Sequence, residues 1–360
     1  MNFLRSLQCF KVLNGQGRVS SVDVFRGLAI LAVVFFHINM LPYGYLGVDL
    51  FFVISGFLVG GILVNAFSRN EPIQYLRFIF TRGFKIWPSY YLFFLFGQII
   101  AFLIYRKSHP DQLIPFRDWP MYLLFYRNYR GGFHWSFDHV WSLCVEEHFY
   151  IMLPIVFIAV QRWFSASMKP VILGVLGLLS LGVIGKFVGY HIHFETYAAT
   201  HNRLDALAWG VLLFIVSQHY GIQIRKPESR LAIFGLFALL FAACIGIQHS
   251  NQSDFFNKTI FHSLVPLAFS GMLFSTLGLD CTRFTLLRIF GYYSYNWYLW
   301  HPLFVKLLAD HFKPSVYLAI FYVFGTFAMA VFFTILIEEP FMRMRSTFLN
   351  RFFARQKTNI

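Results

Sequence analysis

Roughly every thirty residues this chain enters an apolar run long enough to cross a bilayer, for which about 20 residues of helix suffice. Ten such runs can be marked, at about 24–41, 46–66, 86–105, 141–160, 170–189, 204–219, 230–248, 259–279, 287–309 and 315–337. A soluble protein could not cover them. Charged residues make up 13% of the chain, against about 25% in an ordinary soluble domain, and 58% of it is apolar. The pattern predicts an all-α, polytopic integral membrane bundle of about ten transmembrane helices. Connections are short except for 106–140, and no repeat or soluble insert interrupts the spans. The expected organisation is a segment 1–19, a membrane domain 20–340 and a basic tail 341–360.

A net charge of +14 would suggest nucleic acid as a partner in a soluble chain. Here the topological explanation is simpler, because cytoplasmic loops collect Lys and Arg. Placing the N-terminus inside puts 19 of these cations on the inner side and 10 on the outer, half of the latter in the single loop 106–130. Both termini are therefore expected to be cytoplasmic, with no nucleic-acid partner. Cys9, Cys144, Cys244 and Cys281 lie far apart without a CxxC pair, so neither a disulfide framework nor a metal site is expected. No cleavable signal peptide is evident ahead of the first apolar run.

An ionisable side chain at membrane depth costs several kcal/mol unless paired or hydrated. An isolated one serves helix packing as readily as chemistry; clustering separates the two. In SVDVFRGLAILAVVFFHINM, Arg26 and His37 are eleven residues apart, which returns a helix to within ~20° of the same face, ~16 Å further along. Gly27 leaves room beside Arg26 for a ligand or another helix. On the assumed sidedness, Asp49, Glu146 and Glu147, Arg203 with Asp205, and His301 with Tyr298 beside it all fall in the outer half of their spans, as does His37. Scattered packing polars would not favour one depth, so a functional cavity is expected there. A neutral imidazole held by a carboxylate is a general base for a hydroxyl, or a nucleophile that is itself acylated. No GxSxG accompanies it. The alternative use of such a cluster is a proton relay in a transporter of a glycan, lipid or acyl metabolite.

On the other side, YLRFIFTRGFKIWPSYY brings Arg77, Arg82 and Lys85 ahead of Pro88, which is expected early in the third span. By itself this is an ordinary cationic flank. With Arg26 at a similar depth, the same groups would suit phosphates.

These residues resemble the acyltransferase 3 family of bacterial membrane acyltransferases. The likeness runs from about Ser20 to Pro340 through VDVFRGLAILAVVFFH, GYLGVDLFFVISGFL, RGFKIWPSYY, WSLCVEEHFY, RLDALAWGVLL, GYYSYNWYLWHP and EEPF, in that order. The resemblance implies an integral enzyme of the bacterial inner membrane. It would move an acyl group, with acetyl as the expected one, from cytoplasmic acyl-CoA to a hydroxyl of an extracytoplasmic glycan or lipid-linked saccharide. No bound cofactor is implied; acyl-CoA is a co-substrate. His37 would be the base or transient acyl carrier, with Asp49 or Glu147 orienting it and Glu146 beside them. Arg26, Arg82 and Lys85 would hold the donor, and Arg203, Asp205, Tyr298 and His301 would support the cavity. The family's RRxxR is here Thr81, Arg82 and Lys85, which keeps charge but loses guanidinium forks. Many members carry a fused C-terminal hydrolase-like domain, and this chain is expected to be of the stand-alone kind. Direct transfer and an acyl-histidine intermediate both fit.

Overall fold

A computed structural model describes residues 19–106, 113–130, 137–164, 167–194, 197–250, 253–309 and 315–357. Among them the regular structure is helical throughout, in twelve α-helices. These are α1 (Ser20–His37), α2 (Gly47–Ser68), α3 (Tyr75–Tyr105), α4 (Trp119–Leu123), α5 (Trp141–Trp163), α6 (Met168–His191), α7 (Leu204–Phe214), α8 (Pro227–Ser250), α9 (His262–Thr276), α10 (Thr285–Ala309), α11 (Val316–Phe333) and α12 (Glu339–Lys357). Each of the ten apolar runs coincides with a helix. Eight helical stretches among the described residues are long and apolar enough to cross a bilayer, which makes this a multi-pass membrane protein. The other two fall short for different reasons. The helix through α7 ends at His219 and is the shorter apolar one, while α10 has 25 residues but carries Arg288, Ser294, Asn296, His301 and Lys306.

Two helix boundaries differ from the sequence reading. The first helix runs from Ser20 and stops at His37 rather than near 41. Asn39 adopts φ 60°, a left-handed conformation that Asn tolerates, and Pro42 follows. The third helix starts at Tyr75, so Arg77, Arg82 and Lys85 stand on a helix, not in a loop, and Pro88 lies in its interior rather than near its start. Apolar positions explain the extension. Phe78 and Ile86 are buried on one face, which lets the cations occupy the others.

The described chain forms two compact units. The first comprises the stretches up to Phe36, Leu41–Ile73 and Ser142–Tyr292, and the second His37–Met40, Gln74–Trp141 and the chain from Tyr293. In the first unit α2 packs along α7, and α9 packs against both. The α2–α7 crossing depends on reciprocal glycines. A Cβ on Gly56 would fall 1.9 Å from the Leu207 carbonyl, and one on Gly210 would fall 2.0 Å from that of Val53. Backbones this close gain dispersion contacts where lipid removes the hydrophobic drive between helices. Of the two neighbours that Gly27 can admit beside Arg26, a ligand or another helix, the structure places a helix there. A Cβ on Gly27 would meet the Leu287 carbonyl at 2.1 Å.

The second unit is built on aromatic contacts. Tyr90 stacks on Phe125 at 4.4 Å, Phe94 on Tyr122 at 5.3 Å, and Trp300 lies flat on Phe333 at 3.7 Å between ring centroids. The Tyr122 hydroxyl accepts from Arg127 Nε at 2.8 Å. Burial, despite that cation, pushes its pKa up to about 12. Much of the long connection 106–140 is thus ordered onto α3, since Tyr90 and Tyr91 donate to the carbonyls of Tyr122 and Leu123.

Candidate active site

The second unit holds a histidine cluster whose protonation pattern follows from one proline. Pro302 lacks an N–H, so the carbonyl of Tyr298 is denied its ordinary helical donor. His301 supplies the replacement, with Nδ1 2.9 Å from that carbonyl and 3.0 Å from the carbonyl of Trp297. A carbonyl only accepts, so His301 Nδ1 carries the hydrogen and, in the neutral ring, Nε2 carries the lone pair. That nitrogen lies 3.2 Å from Nδ1 of His37, and the rings meet edge-on at 4.7 Å. His37 must therefore donate through Nδ1. Its basic nitrogen is Nε2. His301 is fully buried and His37, the last residue of α1, is half-buried.

A third imidazole braces the pair. His139 Nε2 donates to the Leu299 carbonyl at 3.0 Å, and the Tyr298 hydroxyl donates to the His139 carbonyl at 2.8 Å. The His139 ring sits 5.9 Å from that of His301. Sequence reasoning placed His301 and Tyr298 near His37 but missed His139, which precedes the WSL motif in a stretch read as loop. The signal was available, as a His directly before an apolar run. No three His, Cys, Asp or Glu side chains among the described residues converge as metal ligands.

The first unit gathers a buried charged cluster. Arg203 Nη2 donates to Asp49 Oδ1, and Lys186 Nζ to Asp205 Oδ2, all four residues being essentially inaccessible. Lys186 also donates to Ser263 Oγ at 3.0 Å. Two cations facing two carboxylates is the balance a buried site requires. Asp49, expected as an orienter of His37, is thus bonded to Arg203, and the partner found for His37 Nδ1 is an imidazole. Lys186, which falls inside the apolar run 170–189 and counts in the sequence only as an outer-side cation, lies within α6 and is buried to the limit. Glu146 accepts from the Tyr150 hydroxyl at 2.5 Å, which in turn is 2.6 Å from Ser55 Oγ. Glu147, one residue on, is the more buried of the two. Arg26 belongs to this unit as well, on α1.

The donor-side candidates Arg82 and Lys85 stand on α3 in the second unit. Lys85 Nζ is bonded to Glu338 Oε1, whose other oxygen accepts from Asn296 Nδ2 at 2.8 Å. Asn296 Nδ2 also reaches Thr334 Oγ1 at 3.0 Å. Glu338 closes the widened helical turn Thr334–Glu338 that leads into α12. The EEPF segment therefore acts through Glu338 as the counter-charge of Lys85, a role its position near the end of the last apolar run did not announce.

A polytopic helical chain with a tautomer-fixed histidine at the end of its first span fits a membrane acyltransferase. Residues 19–339 match the family described as the acyltransferase domain, and the chain belongs to that family. It is 26% identical to the peptidoglycan O-acetyltransferase OatA of Listeria monocytogenes over 93% of this chain and 57% of that protein. It is also 26% identical to the O-acetyltransferase OatA of Staphylococcus aureus, over 89% of this chain and 56% of that protein. The chain thus spans little more than half the length of these relatives. No solved structure matches it.

Proposed function

We propose that the protein is an O-acyltransferase of the bacterial inner membrane, moving acetyl from cytoplasmic acetyl-CoA to a hydroxyl of an extracytoplasmic glycan or lipid-linked saccharide. In this reading α1–α3 and α5–α11 make ten crossings, and both termini are cytoplasmic. The observation that carries it is the fixed tautomer of His37, whose Nε2 is the lone-pair nitrogen because Nδ1–H is held by His301. The peptidoglycan O-acetyltransferase and O-acetyltransferase relatives support the acetyl group and a glycan acceptor.

In direct transfer, His37 Nε2 takes the proton of the acceptor hydroxyl as its oxygen attacks the thioester carbonyl. The tetrahedral intermediate collapses with loss of CoA thiolate, and the imidazolium returns the proton to the sulfur. Positive charge on His37 is stabilised through its Nδ1–H bond to His301, itself held by two carbonyl dipoles. In the acyl-histidine alternative the same Nε2 attacks the thioester first. Arg26 and Arg82 serve the donor, and Lys85 acts through Glu338 to fix the start of α12.

Purified protein in liposomes with acetyl-CoA on one face and a saccharide acceptor on the other tests this. The parent should release CoA thiol and yield an acetylated saccharide, and His37→Ala should reduce both by about 10²–10⁴, the usual value of a general base. A variant within threefold of the parent would overturn the assignment.

A further inference from the structure

In the first unit the ends of α2, α8 and α9 converge on a polar aromatic cluster that the chemistry above does not use. Tyr45 stands in the turn Gly44–Leu46 that leads into α2. Glycines on both sides press this turn against α1. A Cβ on Gly44 would fall 2.1 Å from the Ala32 carbonyl, and one on Gly47 would fall 2.4 Å from that of Ala29. His262 opens α9 directly after the widened helical turn Phe256–Phe261, a feature frequent at functional sites, and Gln248 lies in the last turn of α8. The His262 ring meets Tyr197 at 5.1 Å and Tyr45 at 6.4 Å, and the two tyrosine rings are 6.2 Å apart. Arg203, itself bonded to Asp49, holds Tyr197 with Cζ 5.2 Å from the ring centroid. Phe36, the residue before His37, packs edge-on against Tyr45 at 5.5 Å.

The fold leaves polar atoms of this cluster over. Gln248 Nε2 donates to the Tyr45 hydroxyl at 3.2 Å, so the phenolic hydrogen points elsewhere, and the buried Gln248 Oε1 accepts nothing among the described residues. His262 is 8% exposed, and its buried Nδ1 has no partner among them either. Buried polar atoms without partners disfavour a fold, and native structures keep few of them. Tyr45, Tyr197 and Gln248 are half-buried, so part of the cluster stays accessible. A donor, an acceptor and an imidazole able to act as either, set among aromatic rings, match a pyranose, whose C–H faces are apolar and whose rim hydroxyls each donate and accept. Arg203 and Lys186 are matched by Asp49 and Asp205, so these cations do not call for an anion. Resting on the O-acyltransferase reading above, we infer that Tyr45, Tyr197, Gln248 and His262 form a saccharide-binding subsite for the acceptor. In the proposed topology the end of α1, the start of α2, the end of α8 and the start of α9 all lie on the extracytoplasmic side, where that acceptor is.

The test uses the full chain in phosphatidylcholine nanodiscs with N-acetylated chitotetraose, cellotetraose and maltotetraose as probes, and hexaethylene glycol as a control with few hydroxyls. At least one saccharide should raise the melting midpoint of the parent in a saturable way, and the glycol should not. Tyr45→Phe, Gln248→Leu and His262→Phe should each weaken that saccharide about two- to tenfold, the range for one neutral hydrogen bond. In thiol release from acetyl-CoA the same variants should raise KM for the saccharide and leave KM for acetyl-CoA in place. Without ligand, His262→Phe should melt no earlier than the parent, because the buried nitrogen it removes has no partner. A lower midpoint with unchanged saccharide affinity would make His262 a packing residue and overturn the subsite. Failure of every saccharide would overturn it too, as would a shift produced by phosphatidylglycerol alone, which marks a lipid site. Saccharide binding with no thiol release on any probe would leave the subsite standing and count against the acyltransferase reading. Thiol release with an unmoved saccharide KM in all three variants would do the reverse.

Discussion

Replacing His301 by Phe isolates the imidazole that fixes the His37 tautomer on which the proposed chemistry rests. The ring volume is kept at a fully buried position, while the acceptor facing His37 Nδ1 at 3.2 Å is removed. Two losses follow. Without a fixed acceptor His37 is free to exchange tautomers, and even equal populations would cost only about twofold. The larger loss is the hydrogen bond to the imidazolium formed during transfer. A bond to a charged group is worth about 1.5–3 kcal/mol, and each 1.36 kcal/mol is tenfold in rate, so kcat should fall about 10–150-fold. The donor is not contacted by this ring in the proposed chemistry, so KM for acetyl-CoA should change little. His301→Gln provides the control, since its side-chain oxygen can replace Nε2 as acceptor; it should recover most of the lost rate. The assay is thiol release from acetyl-CoA in proteoliposomes, with the melting midpoint recorded for every variant. A folded His301→Phe protein within threefold of the parent would refute the tautomer argument, as would a Gln variant no better than Phe.

Two further outcomes follow from the charged cluster and the helix order. Asp49→Asn leaves Arg203 buried beside a neutral group and should destabilise the protein by about 3–5 kcal/mol, whereas Asp49→Leu with Arg203→Met should be milder; thermal unfolding in detergent measures both, and an unchanged midpoint for Asp49→Asn would mean that the ion pair contributes nothing. Single cysteines placed at 225–226 should react with an impermeant reagent from the cytoplasmic side and those at 116–118 from the opposite side; labelling of both sets from one side would remove the proposed sidedness, and with it transfer across the membrane.

The helices were legible because each is an apolar run bounded by charge, and ten of ten coincide with helices in the structure. The family was legible because seven segments retain both residue type and order. Reading failed where a charge was judged by sequence neighbours alone. Lys186 lies near the end of the apolar run 170–189 and counts there only as an outer-side cation, yet within α6 it is buried and bonded to Asp205. Arg77, Arg82 and Lys85 pass for a flank because three cations in nine residues depress hydropathy, although Phe78 and Ile86 keep a helical face buried.

The sequence by itself determined that this chain spans a membrane, to which family it belongs, and which side chains at membrane depth require an explanation. The protonated nitrogen of His301 needed the structure, because a proline at 302 leaves a carbonyl in want of a donor but only the rotamer of the ring shows that Nδ1 meets it. Partner choice was decided by tertiary structure. Asp49 could as well face a histidine as an arginine, and Lys85 a phosphate as a carboxylate. Each alternative involves residues scores or hundreds of positions apart, and helix period fixes the face a residue occupies but not the helix brought against that face. Close packing at glycines such as Gly56 and Gly210 makes that selection, and with it the charge each buried group must meet.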